Sequence, residues 1–298
     1  MTPQSTLTRP PSADETEVQH LRETARLIRV QIAKTVNHAK VGHLGGAMSA
    51  ADILAALYFH VMRISVEDPN WEDRDRFILS KGHCSVGLYS TLALRGFLPV
   101  EELKTFDSAG SRLQGHPDMK LLPGIDMSTG SLGMGISAGM GIALGGRLIG
   151  KDFKVYVVLG DGECQEGEVW EAAFAAARYG LSNLVAIIDH NKLQQFGFGN
   201  HSEPPQGPGE LVARWAAFGW RVIEVDGHDM TAVLGAFADA NEPGDRPVAI
   251  VAHTIKGKGV SFMEGQYKWH TGVFTPEQFA TAMSDLGEPL PDIREALQ

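Results

Sequence analysis

Two short polar stretches each close an apolar run: Gly160-Asp161-Gly162-Glu163 follows Val155 to Leu159, and Asp189-His190-Asn191 follows Leu184 to Ile188. In an open parallel α/β sheet the carboxyl ends of the strands are where ligands bind, so Asp161 and Asn191 offer oxygen ligands from two strand ends. Magnesium takes about six oxygens at about 2.0–2.1 Å. Two side chains plus a backbone carbonyl, for which Leu193 is placed, leave positions for phosphate oxygens and water. The pair reads as a diphosphate clamp. Gly-Asp-Gly alone is equally well a turn after a strand, and the second strand end is what gives it weight. Asp189 reads more readily as a helix cap or turn residue than as a ligand.

Four histidines stand beside glycine in loop contexts: His43 in Val-Gly-His-Leu-Gly-Gly, His83 in Ser-Lys-Gly-His, His116 in Gln-Gly-His-Pro-Asp and His270 in Lys-Trp-His-Thr-Gly. Together they predict neutral imidazoles around polar substrate hydroxyls, able to donate, accept and shuttle protons near neutral pH. A zinc site is the competing use, but the loops lie far apart and no His-x-x-x-His pair exists. His38, His60, His201 and His228 lack such settings and read as ordinary. Glu163, Glu166, Glu168 and Glu171 crowd a helix start, where the helix dipole accounts for Glu163 and Glu168. Glu166 and Glu171 are kept as functional candidates.

Two rival phosphate motifs fail in context. Gly133-x-Gly135-x-x-Ala138 has the dinucleotide spacing, but a polar stretch precedes it where a strand is required. Gly257-Lys258-Gly259 continues into Val260 and so is no Walker loop.

The elements that must position these residues alternate. Apolar positions Val18, Leu21, Ala25, Ile28, Ile32 and Val36 predict a helix from Glu17 to His38, and Ser49-Ala-Ala-Asp52 looks like the capped start of a helix reaching toward Met62. A short strand from Arg76 to Ser80 leads into His83, a helix near Ser85 to Arg95 follows, and Gly110 to Gly130 is irregular. Then come strand Lys154 to Leu159, helix Glu168 to Tyr179, strand Leu184 to Asp189 and a loop through Gly209. Helix Glu210 to Phe218, strand Arg221 to Val225, helix Met230 to Ala240 and strand Pro247 to His253 complete the alternation. The fold class is therefore α/β: right-handed βαβ units in a mostly parallel sheet with helices on both faces, with strands such as Val155 to Leu159 and Leu184 to Ile188 apolar throughout.

With 298 residues, 43% of them apolar, the chain can form one large core, read as one domain over 15–298 behind a disordered tail over 1–14. A net charge of −10 argues against nucleic-acid binding, and a bound anion must be held by a metal, backbone N–H groups or local imidazoles. Two cysteines, Cys84 and Cys164, and no apolar signal core point to a cytoplasmic protein. Met127 to Gly146 is free of charge and carries Gly135-x-x-x-Gly139 and Gly141-x-x-x-Gly145. It is nearly half Gly, Ser and Thr and sits within a strand and helix alternation, so it reads as a buried, closely packed helix, with no membrane association.

The ordered set Gly-His-Leu-Gly-Gly, Ser-Lys-Gly-His, Gly-His-Pro-Asp, Thr-Gly-Ser-Leu-Gly-Met-Gly, Gly-Asp-Gly-Glu-Cys-Gln-Glu-Gly and Asp-His-Asn-Lys-Leu resembles the transketolase family, over about Arg26 to Thr271. The resemblance implies the diphosphate-binding half of a thiamine diphosphate enzyme, with Asp161, Asn191 and the Leu193 carbonyl as ligands of Mg²⁺ or Ca²⁺. It further implies cofactor contacts from Gly162, His83, His270 and the Gly130-Ser131-Leu132 turn, and sugar contacts from His43, His116 and His270. Glu166 and Glu171 then belong to a carboxylate network near a partner. Ser131 and Leu44 stand where many relatives carry proline, and Gln266 to Trp269 replaces a small-residue run.

In that family the glutamate that activates the coenzyme sits in a second domain. The chain thus resembles the N-terminal subunit of a split transketolase, expected to work in an α2β2 heterotetramer with a C-terminal subunit carrying the pyrimidine-binding domain. The implied reaction moves a two-carbon ketol unit from a ketose to an aldose, as sugars or sugar phosphates. Alternatives are the α chain of a 2-oxo acid dehydrogenase, which generally lacks the Ser-Lys-Gly-His and Gly-His-Pro pair, and a non-catalytic binding subunit.

Overall fold

The computed structural model describes residues 13–195 and 210–289. The expected tail over 1–14 lies outside the described residues except for Ala13 and Asp14, as does the loop from 196 to 209. Asp14 is no tail residue. Its carboxylate accepts from the Glu17 amide at 2.9 Å and caps helix α1 (Glu15–Ala39), starting it two residues before the expected Glu17. The predicted stripe Val18, Leu21, Ala25, Ile28, Ile32 and Val36 is buried throughout. Each fully buried Leu or Ile contributes about 1.5–3 kcal/mol.

The next helix does not open at Ser49. Helix α2 (Gly45–Ser49) begins four residues earlier and α3 (Ala51–Ala56) follows it, ending in a π-helical turn from Leu57 to Val61. The Ser49 hydroxyl does not cap; it donates to Asp189 at 2.6 Å and lies 3.1 Å from the Gly46 carbonyl. Strand β1 (Arg76–Leu79), a 3₁₀ turn over Gly82–Cys84 and helix α4 (Ser85–Arg95) come next, and residues 111–130 are irregular as expected.

The remaining elements are α5 (Met134–Leu148), β2 (Val155–Gly160), α6 (Gly167–Arg178), β3 (Leu184–His190) and α7 (Glu210–Ala217). After them come β4 (Arg221–Asp226), α8 (Met230–Asn241), β5 (Val248–His253) and α9 (Pro276–Asp285). Helix α9 adds to the expected alternation, and Thr275-Pro276 with Gln278 makes its start a complete capping box.

The five strands form one parallel sheet in the order β1-β2-β3-β5-β4. Side chains alternate between two apolar layers: Tyr156, Val158, Val185 and Ile187 pack under α1, α3, α4 and α8, while Val157, Leu159, Ala186 and Ile188 pack under α5, α6 and α7. Both faces are covered, which is why these strands carry no polar alternation. The register sets Gly160 beside Asp189, so Asp161 and Asn191 leave the sheet side by side.

Helix α5 corrects the expectation of a buried helix. Its first glycine pair packs, Gly135 on Ser80 and Gly139 on Val157, but Gly141 and Gly145 face open space, and Leu148 and Ile149 are exposed. No helix among the described residues is long and apolar enough to cross a membrane.

Candidate active site

A cleft of about 560 Å³ lies across the carboxyl ends of β1, β2 and β3. Asp161, buried at the end of β2, accepts from the amides of Gly162 at 2.8 Å and Lys192 at 2.5 Å. Asn191, at the end of β3, receives the Leu193 amide on Oδ1 at 3.2 Å. Between them Lys192 takes φ 66°, a left-handed conformation that costs a non-glycine residue about 1–3 kcal/mol. The strained turn points the Leu193 carbonyl back into the cleft, where it accepts from Lys256 Nζ at 2.7 Å.

These donors fit a hard divalent cation. All are oxygens: a carboxylate, an amide and a peptide carbonyl. The Lys256 ammonium already stands on one of them. Burial, and then the charge of Asp189, pushes the Asp161 carboxyl up to about 6, so its ionised form gains from any cation beside it. Among the described residues no group of three His, Cys, Asp or Glu side chains is set to hold a metal.

Beneath this floor Asp189 is neither cap nor turn. It is fully buried and accepts from Lys81 Nζ, Ser49 Oγ at 2.6 Å, Thr254 Oγ1 and Asn191 Nδ2 at 3.2 Å. Burial opposes its charge, yet the Lys81 ammonium and the hydroxyls hold its carboxyl below the usual range. Lys81 Nζ also donates to the Gly46 carbonyl at 2.8 Å, fixing α2 to the strand ends.

Glu163 likewise does more than favour a dipole. It is buried and accepts from Ser80 Oγ, the Gly133 amide at 2.9 Å and the Gly160 amide at 3.0 Å, tying the start of α5 to the ends of β1 and β2. Glu168 accepts from Ser137 Oγ on α5.

The four expected histidines meet in the cleft. Ring centroids of His43 lie 5.1 Å from His83, 6.4 Å from His116 and 5.3 Å from His270, and His83 is 5.0 Å from His270. Burial lowers His43 and His83 to about 4 and His270 to about 3. The neighbouring rings and Lys256 push His43 and His270 further down, and Lys81 and Lys256 do the same to His83. His116 is lowered too, by its burial and by His83. All four imidazoles are therefore neutral near pH 7. His116 is carried by a loop that α4 secures: Ser85 Oγ donates to the Gly115 carbonyl at 2.8 Å and Tyr89 Oη to the Gln114 carbonyl at 2.9 Å.

Gly130, Leu132, Gly162 and Glu166 also line the cleft, whereas Ser131 and Glu171 are exposed and do not. Gly130 lies against His116 and Gly162 against Gln194, where a β-carbon would come within 3.1 Å of each neighbour. Gly133, at φ 85°, turns the chain into α5 under Glu166.

Lys256 is the functional residue that sequence reasoning missed. It is buried, donates to Leu193, lies 3.2 Å from His270 Nδ1 and is lowered by burial to about 8. The available signal was a third strand end, Thr254-Ile255-Lys256-Gly257 after β5, which the failed Walker loop masks.

Comparison with known proteins places this geometry among relatives. A family model described as transketolase, thiamine diphosphate binding domain, matches residues 20–291. The chain is 42% identical over 272 residues to an apulose-4-phosphate transketolase subunit from Phocaeicola vulgatus, covering 91% of this chain and 95% of that protein. It is 40% identical over 275 residues to the 6-deoxy-6-sulfo-D-fructose transketolase subunit SqwG of a Clostridium species, covering 92% and 98%. Human transketolase is 41% identical over 259 residues, but these make up 86% of this chain and 40% of that one. The solved transketolase from Leishmania mexicana superposes with a TM-score of 0.83 at 30% identity, covering 93% of this chain and 43% of that chain. The chain thus spans about two-fifths of the length of those longer proteins and nearly all of the two shorter ones.

Proposed function

This chain belongs to the transketolase family and matches its thiamine diphosphate-binding domain, and on that premise we propose that it is the N-terminal subunit of a split, Mg²⁺-dependent transketolase. Residues 15–298 form the thiamine diphosphate-binding domain. A separate chain supplies the pyrimidine-binding domain and the activating glutamate, in an α2β2 assembly. Near-complete coverage of two relatives named as subunits supports the split.

The observation that carries the reading is one cleft with two unlike surfaces: oxygen donors on Asp161, Asn191 and Leu193 below, and four neutral imidazoles above. Asp161, Asn191 and the Leu193 carbonyl would hold Mg²⁺ or Ca²⁺, with Gly162, His83, His270, Lys256 and the turn from Gly130 to Leu132 against the diphosphate and ring. The chemistry that bound thiamine diphosphate supplies is a carbon nucleophile able to take up and pass on a two-carbon fragment. His43, His116 and His270 face the sugar. Being neutral, His43 and His116 can each accept a proton from a substrate hydroxyl at one ring nitrogen and return it, whereas His270, whose Nδ1 faces the Lys256 ammonium, presents its Nε2 hydrogen as a donor. Glu166, at the rim, stands where a partner's carboxylate network can reach it.

The donor is a ketose or ketose phosphate, and the relatives' names bring apulose 4-phosphate and 6-deoxy-6-sulfo-fructose within the range to assay. The deciding experiment mixes the purified chain with candidate C-terminal subunits, Mg²⁺ and thiamine diphosphate. Ketol transfer from these ketoses to an aldose should appear only when both chains are present. Full activity from this chain alone, or transfer from 2-oxo acids only, would overturn the reading.

A further inference from the structure

His228 read as an ordinary histidine, yet both of its ring nitrogens are engaged in a chain of contacts that starts buried at Arg29 and Asp52 and ends at the exposed Ile255, one residue from Lys256. Arg29 on α1 donates through Nη2 to Asp52 Oδ2 and through Nε to the Met48 carbonyl at 3.1 Å. Arg29 and Asp52 are both buried. The same Asp52 oxygen lies 2.8 Å from His228 Nδ1, and His228 Nε2 lies 2.8 Å from the amide nitrogen of Ile255.

An amide N–H can only donate, so Nε2 accepts and carries no proton. Nδ1 therefore holds the ring's hydrogen and gives it to Asp52. The tautomer and the ring plane are fixed from both ends.

The segment held in this way has one consequence inside the cleft. Thr254 Oγ1 donates to Asp189, the Gly257 amide donates to the Gly45 carbonyl at 3.0 Å, and the Lys256 stem passes Gly45 where a β-carbon would collide with it. Between those two anchors the Ile255 amide is satisfied by His228. The turn bearing His228 is itself seated on the strand end: the Gly227 amide donates to the His253 carbonyl at 2.8 Å, and Gly227 lies against Thr254.

We propose that Arg29, Asp52 and His228 form a positioning relay that aims the Lys256 ammonium at the Leu193 carbonyl and His270, and hence at an anionic ligand in the cleft. His228 touches no reacting atom; it acts through Lys256. The inference rests on the proposed function only in the identity of that ligand, thiamine diphosphate.

The test uses the full-length chain and two readouts. Amide hydrogen exchange of the peptide spanning Ile255, measured without ligand, reports the hydrogen bond itself. Titration with thiamine diphosphate and Mg²⁺ reports its consequence. His228→Asn keeps a donor near Asp52 but cannot reach Ile255, whereas His228→Gln presents an acceptor close to the Nε2 position. The Asn variant should expose the Ile255 amide to exchange and weaken ligand binding about tenfold, a typical effect of losing a group that orients a ligand-binding residue. The Gln variant should recover most of both. With Lys256→Met as background, His228→Asn should change exchange but not affinity.

Unchanged exchange in His228→Asn would overturn the relay, as would a loss of affinity that is equal with and without Lys256. Failure of the wild-type chain to bind thiamine diphosphate even with its C-terminal partner present would strike the proposed function, while the exchange arm would still decide whether His228 holds the segment.

Discussion

The floor and the wall of the cleft are built in opposite ways. On the floor, charge is buried and locked: Asp189 gathers Lys81, two hydroxyls and Asn191, and Glu163 joins three backbone segments. On the wall, four imidazoles from four loops stand close together in their neutral form, with the Lys256 ammonium beside His270. A surface that holds a cation and a diphosphate needs fixed oxygens on rigid strand ends. A surface that passes protons needs groups that can exist with or without one. The strand ends have the character of the first and the loops, pinned from behind by α4 and α2, that of the second.

The sharpest way to break this contrast is at the floor. Asp161→Ala should abolish retention of thiamine diphosphate, and Mg²⁺ with the coenzyme should raise the thermal midpoint of the wild-type chain but not of the variant. Retained coenzyme in Asp161→Ala would remove the cation from the account. Next in size, Lys81→Met leaves Asp189 buried without its counter-charge and should cost about 3–5 kcal/mol in urea denaturation. A loss below about 1 kcal/mol, the range of an exposed pair, would mean the floor is not locked as described.

The wall should respond differently. His116→Ala, assayed with the partner chain, should lower turnover by about a hundredfold, the lower end for removing a proton-handling group, and leave coenzyme affinity unchanged. A matching loss of affinity would erase the division between the two surfaces.

The smallest effect is on the pH dependence of stability. His43 and His83 sit at about 4 in the folded chain, against about 6.5 when unfolded. Between those values the unfolded chain binds more protons, so their contribution is complete above about pH 6.5 and is lost as the pH falls toward 4. Asp161, raised to about 6, works in the opposite direction and is common to wild type and variant. His43→Asn should therefore flatten the fall in thermal midpoint between about pH 7 and about pH 5 relative to wild type. Parallel curves would show that this imidazole is not held neutral by the fold.

Much of the scaffold was legible because strands buried on both faces, such as Val155 to Leu159 and Leu184 to Ile188, announce themselves by unbroken apolar runs. The oxygen donors were legible because they follow those runs directly. The lock beneath them was not, since Lys81, Ser49 and Thr254 reach Asp189 from 108, 140 and 65 residues away, and no linear pattern joins them. Helix α2 opens on two glycines, which cost about 1 kcal/mol each relative to alanine, and its start is set by packing against Lys256 and Cys84 instead of by propensity. His228 escaped notice for the same reason: its two partners, Asp52 and Ile255, adjoin it only in space.

Among the described residues the sheet ends on β4, whose outward rim leaves backbone donors and acceptors without a further strand. Three of its six positions are charged: Arg221, Glu224 and Asp226. Another chain zipping onto that rim would have to strip these ions of water and align them with its own. These charges disfavour pairing along that one rim, and they stand on the border strand farthest from β1, away from the cleft at the ends of β1, β2 and β3.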